Sequence, residues 1–174
     1  GDGVKDLNTG IVTNERGDFF LPAGLPAGSI VAVGGVNIDT GIPNTLEMRA
    51  PAGSTTVNPL TTLLQAVLQS NPGLGAAGAS VLVSPSLGLP ADTDLTRFDP
   101  LSVLQSDPGS AEALAAQKAA ASVATIVALA AGTDQARSNA IGNLASQITQ
   151  AASQGTQIDL ANDTVIGNVL NAAG

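Results

Sequence analysis

The side chains best able to do chemistry here are carboxylates, and one group of them has metal-loop spacing. Gly1-Asp2-Gly3-Val4-Lys5-Asp6 resembles the second half of a calcium loop of the form D-x-N-x-D-G-x-x-D. In that register Asp2 is the fifth position, Gly3 the turn glycine, the Val4 carbonyl the seventh ligand and Asp6 the ninth. Hard oxygen ligands at alternating positions converge on Ca²⁺ because the glycine permits a sharp bend. The twelfth position, ordinarily a bidentate carboxylate, is Thr9, and the first two ligand positions would precede Gly1. Asp2, Val4 and Asp6 are therefore the candidate metal ligands, with calcium as the expected cofactor. The competing reading is a solvated acidic turn.

Asp92, Asp94 and Asp99 make a second acidic group. It reads better as capping than as a metal loop: Asp99 precedes Pro100, Asp92 and Asp94 suit Asx-turns, and Arg97 offsets charge. Nothing in the spacing brings two carboxylates together for glycosidic hydrolysis. The chain has no His and no Cys, which excludes imidazole general bases, thiolate nucleophiles, Cys/His zinc sites and disulfides. Its many Ser and Thr hydroxyls have only carboxylates and two lysines as possible activating bases. Gly34-Gly35 follows a strand pattern but lacks the helix that a dinucleotide site requires. No catalytic residue is assigned, and the chain is read as a non-enzyme.

Charge narrows the partners. Residues 1–56 carry six acids and three bases, and residues 57–174 eight acids and three bases, for a total of −8. Neither part offers the clustered Lys and Arg that phosphate backbones or anionic membrane surfaces need. With three Phe and no Trp or Tyr, there is no aromatic platform for sugars or bases. The most apolar run, residues 119–131, is too short and too alanine-rich for a bilayer span of about 20 residues. The expectation is no nucleic acid and no membrane span. Few lysines, an acidic balance and abundant Gly, Asn and Thr suit an extracellular bacterial protein.

The elements that must position these residues change character near residue 57. Before it, Gly10-Ile11-Val12-Thr13 and Asp18-Phe19-Phe20-Leu21 flank the turn signal Asn14-Glu15-Arg16-Gly17, a hairpin pattern. Ser29-Ile30-Val31-Ala32-Val33 reads as a further strand. Thr45-Leu46-Glu47-Met48-Arg49-Ala50 alternates, with Leu46 and Met48 on one face and Glu47 and Arg49 on the other. Ser54-Thr55-Thr56-Val57 is a candidate last strand. After residue 57, apolar residues recur at helical spacing. Asn58 caps a helix with Pro59 at its first position and a stripe of Leu60, Leu63, Leu64, Val67 and Leu68. Further helices are expected at 76–83, from Pro100, over 109–131 (with Asp107-Pro108 as its start signal), from Thr133 or Asp134 to Gly155, and from Asn162 or Asp163. The sequence thus predicts an α+β protein. An antiparallel β-sandwich-like domain, incomplete in itself, spans residues 1–57, and an α-helical bundle domain spans 58–174.

At the motif level the chain resembles a known group. Gly1-Asp2-Gly3, Asp6 and Val12-Thr13-Asn14-Glu15-Arg16-Gly17-Asp18-Phe19 resemble the "NGDG…D…TTDANGNF" segment of prealbumin-like, carboxypeptidase-regulatory-type β-domains in bacterial surface proteins. Ile38-Asp39-Thr40-Gly41, Ala50-Pro51-Ala52-Gly53, Asn58-Pro59-Leu60-Thr61-Thr62-Leu63, Leu87-Gly88-Leu89-Pro90, Asp94-Leu95-Thr96, Phe98-Asp99-Pro100 and Ala116-Gln117-Lys118-Ala119-Ala120-Ala121 continue the likeness. The resemblance implies a β-plus-helix module of large secreted adhesins and biofilm-matrix proteins at the bacterial cell surface. It also implies that a strand ordinarily preceding the GDG segment is missing from the β part, either through truncation or because a neighbouring module or a second copy supplies it. The latter would give a head-to-tail fibre by strand complementation. The alternative expectation is a calcium-dependent carbohydrate- or ligand-binding module.

Overall fold

The computed structural model describes residues 8–14, 18–36, 41, 44, 46–130 and 132–173. Among these, the elements in chain order are β1 (Ile30–Ala32), β2 (Met48–Ala50), α1 (Pro59–Ser70), α2 (Ala76–Ser86), α3 (Pro100–Ser106), α4 (Ala111–Leu129), α5 (Asp134–Ser153) and α6 (Asp163–Asn171). The chain is predominantly helical with a two-stranded antiparallel sheet, in which Ile30 faces Ala50, Val31 faces Arg49 and Ala32 faces Met48.

The expected β-sandwich-like domain is therefore corrected to a small hairpin-like ladder on a helical body. Of the four or five strands predicted over residues 1–57, two short ones form among the described residues. The physical reason is burial. A strand is stabilised by packing on its neighbours and on a core, yet no described residue before Ala50 is buried. The turn at residue 14 does close: the Asn14 N–H donates to Asp18 O at 3.0 Å and the Asp18 N–H to Asn14 Oδ1 at 2.9 Å. The flanking residues 10–13 and 18–21 form no ladder. Residues 54–57 are also not a strand; the Thr55 N–H instead reaches Thr96 O at 2.9 Å, tying the entry to α1 to the loop at 90–98.

The helices follow their caps. Asn58 and Thr61 form a reciprocal capping box on α1. Asp99 caps α3, Thr133 caps α5 and Asn162 caps α6, each side chain accepting first-turn N–H groups. The long helix starts two residues later than its Asp107-Pro108 signal suggests. Ser110 is its cap, while Asp107 closes α3 and its Oδ1 accepts the Gly109 N–H at 3.1 Å. α1 lies at the centre, packed on α2, α4, α5 and β2. Leu60, Leu63, Leu64 and Val67 of α1 meet Val123 and Ile126 of α4 and Leu144 and Ile148 of α5 in one core. Small alanines (Ala116, Ala120, Ala140, Ala145) let these helices approach closely. α4 is long and apolar enough to cross a membrane, with 39% of its most apolar window buried in the body.

α5 departs from the simple two-faced pattern. Asn139 and Asn143 belong to its polar side, yet their amides donate to Ala173 O at 3.2 Å and Val169 O at 3.3 Å. They satisfy carbonyls at the C-terminal end of α6, which would otherwise be orphaned.

Candidate functional site: the β2–α1 joint and the N-terminal arm

The feature with the most defined polar geometry is the attachment of β2 to the start of α1. Pro59 fixes the first helical φ, Asn58 caps the turn, and Thr61 and Thr62 then stand side by side at its third and fourth positions. Both are buried. The Thr62 hydroxyl accepts the Arg49 N–H at 2.9 Å and donates to Asn58 O at 2.9 Å. The Thr61 hydroxyl accepts the Asn58 N–H at 2.9 Å and donates to Arg49 O at 2.9 Å. Two hydroxyls thus meet both backbone groups of Arg49, as an adjoining strand would.

That arrangement sets the polarity of the sheet. A residue's N–H and C=O point to the same side of a strand, so Arg49 turns both toward α1 and away from β1. Val31–Arg49 is then the non-hydrogen-bonded pair of the ladder. Consequently Val31 turns its own N–H and C=O outward, to the outer edge of β1. At Arg49 the edge of β2 is closed by threonines; among the described residues no strand lies along the other edge of β1.

Glu47 and Arg49 share one face, as their alternation predicts. Glu47 Oε1 accepts from Arg49 Nε at 2.9 Å and lies 2.6 Å from Nη2. Arg49 also borders a cleft of about 270 Å³ between α1 and α5, with Thr62, Ala66 and Ile141 at its base and Gln69, Ser70 and Ser138 at its rim. The cleft falls just below the usual range for small-molecule sites, about 300–1,000 Å³. Its single cation is paired with Glu47. An open concavity of about 650 Å³ lies over Gln150, Gln154, Gln157, Asp159 and Asn162. Neither depression brings a nucleophile against a base.

The candidate calcium ligands Asp2, Val4 and Asp6 lie outside the described residues. The second acidic group is dispersed into caps, as its spacing suggests. Asp94 Oδ1 accepts from the Thr96 N–H at 3.0 Å and hydroxyl at 2.6 Å, and Asp94 Oδ2 lies 3.7 Å from Arg97 Nε. Asp99 caps α3, and Asp92 is exposed. Among the described residues no three acidic groups cluster at metal-binding distance. The loop holding Asp92 and Asp94 is anchored by Thr93, whose hydroxyl donates to Glu112 Oε1 at 2.5 Å.

The remaining feature is the arm ahead of the joint. Val12 is 83% exposed, Phe20 78%, Val36 61% and Val33 57%. Of the regular elements, β1 touches only β2, and β2 touches α1. Among the described regular elements, the arm thus meets the helical body through β2, with Leu46 ahead of it also packed on the core. No family model, no curated protein and no solved structure matches this chain.

Sequence reasoning located the Asn14–Asp18 turn, though not the hairpin expected around it, and the capped start of α1. It missed Thr61 and Thr62 as the fastening between arm and body. The available signal was two adjacent hydroxyl residues at the third and fourth positions of a capped helix, one turn after an alternating strand.

Proposed function

We propose that this chain is a non-catalytic structural and adhesive module of a bacterial extracellular surface or matrix protein. One observation carries the reading: residues 8–36 turn apolar side chains outward from a helical body that has its own core. Val12 and Phe20 are the most exposed large apolar residues of the described chain, and apolar side chains that gather into one exposed patch mark contact surfaces. The composition supports the same reading, since the chain carries neither of the side chains, His and Cys, that most often perform bond-making chemistry near neutral pH. The quoted adhesin-like motifs give the extracellular setting.

Adsorption to alkyl-coated and polysaccharide-coated sensor surfaces tests the proposal, with the full chain at low concentration. Wild type is retained on at least one surface, and a Val12→Asn/Phe20→Asn chain is retained less. Equal retention of the two, or none of either, overturns the adhesive role of the arm.

A further inference from the structure

We propose that the outer edge of β1 accepts a strand from a second copy of this chain, residues 18–21 of the partner pairing along Val31. The inference deepens the structural-module reading and rests on it, naming the partner that the arm meets.

The first ground is the direction of the free backbone groups. Because Thr61 and Thr62 occupy Arg49, the sheet cannot grow on the β2 side. Val31 presents its donor and acceptor on the other side, where no strand lies among the described residues. The run Ser29-Ile30-Val31-Ala32-Val33 has no Lys, Pro or inward charge, three of the devices that protect exposed edges from pairing; its only protection of that kind is the shortness of β1. The second ground is that the same chain supplies an incoming strand. Asp18-Phe19-Phe20-Leu21 leaves a closed turn, has strand-forming composition and finds no ladder in its own chain.

A second copy is the occupant because the chain itself carries the incoming strand, and charge does not oppose the pairing. Residues 8–36 contain one base and two acids, so most of the −8 lies elsewhere and two arms meet with little repulsion. Edge and incoming strand are different patches, so the contact is heterologous, and it repeats from copy to copy unless its rotation closes it into a ring.

Sedimentation equilibrium of the full chain over a wide concentration range tests this. The weight-average mass of wild type rises from 17.0 kDa toward multiples of it. Phe20→Asn weakens association about tenfold or more, ~1.4 kcal/mol per tenfold, with an unchanged melting temperature because Phe20 touches no core. Val31→Pro deletes the outward donor and weakens association comparably. Val81→Asn, on an exposed α2 position remote from the arm, leaves it unchanged. A chain that stays monomeric throughout overturns the inference, as does association insensitive to Phe20→Asn. Should Val31→Pro disturb folding, Phe20→Asn alone decides. A monomer that still adsorbs to surfaces leaves the adhesive reading intact, so the two proposals fail separately.

Discussion

Thr62→Val removes one oxygen from the joint and leaves a side chain of nearly the same shape. That oxygen accepts the Arg49 N–H at 2.9 Å and passes its own proton to Asn58 O at 2.9 Å. Thr62 is 8% exposed, so water has poor access to replace it. Little volume is lost, and the cavity cost of a large-to-small change contributes little. What remains is a donor deprived of its acceptor, which costs about 1–3 kcal/mol. In a chain of this length each kcal/mol moves Tm by about 2–4 °C, so a fall of roughly 2–12 °C is expected. Thr61→Val removes the acceptor for the Asn58 N–H and so dismantles the capping box, at about 0.5–2 kcal/mol. Both hydroxyls act on Arg49, so the double variant loses less than the sum of the singles. Thermal and urea melts followed by circular dichroism read the global effect, and hydrogen exchange of the Arg49 amide reads the local one. A Thr62→Val chain that melts with wild type and keeps that amide protected would refute the reasoning. The strand would then be held by the Thr61 bond to Arg49 O and by burial of Ala50.

Other perturbations separate core, cap and metal. Ile148→Ala, at a fully buried position on α5, costs about 2–5 kcal/mol, read as a lower urea midpoint at unchanged slope. Asn143→Ala deletes the bond to Val169 O and costs about 0.5–1.5 kcal/mol, with faster amide exchange in the last turn of α6 and little change in α1. Asp99→Ala removes the α3 cap and lowers stability by about 0.5–2 kcal/mol in a urea melt. If Asp2, Val4 and Asp6 hold calcium, saturating calcium raises Tm and a chelator lowers it again; a Tm indifferent to both removes that assignment.

The helical body is legible in the sequence because its signals are local and agree with one another. Asn58-Pro59, Asp99-Pro100, Thr133 and Asn162 each mark a helix start by a side chain that satisfies N–H groups two or three residues on. The stripe of Leu60, Leu63, Leu64 and Val67 names the face that is buried. The arm is misread ahead of β1 because strand propensity reports how a side chain fits a pleated, half-buried surface, and residues 8–14 and 18–29 find no such surface among the described residues. Phe19 and Phe20 look like core residues in composition and are not core residues here. The joint is opaque for a further reason. Thr61 and Thr62 serve Arg49, 12 and 13 positions upstream, as well as their own helix end, and sequence periodicity carries no record of a bond from Thr61 to Arg49 O. Asn139 and Asn143 escape notice similarly, reading as solvent-facing amides until α6 is laid beside them.

The attachment of the arm through β2 also gives the two parts of the chain different evolutionary freedom. A replacement at Leu63 or Leu144 must be reconciled with many neighbours at once, so drift in the helical body is slow. A replacement at Val12 or Phe20 disturbs no interior, and selection on it comes only from what lies outside the molecule. Related chains should therefore diverge fastest ahead of Arg49, keeping a threonine pair at the helix start while the arm is re-tailored to new surroundings.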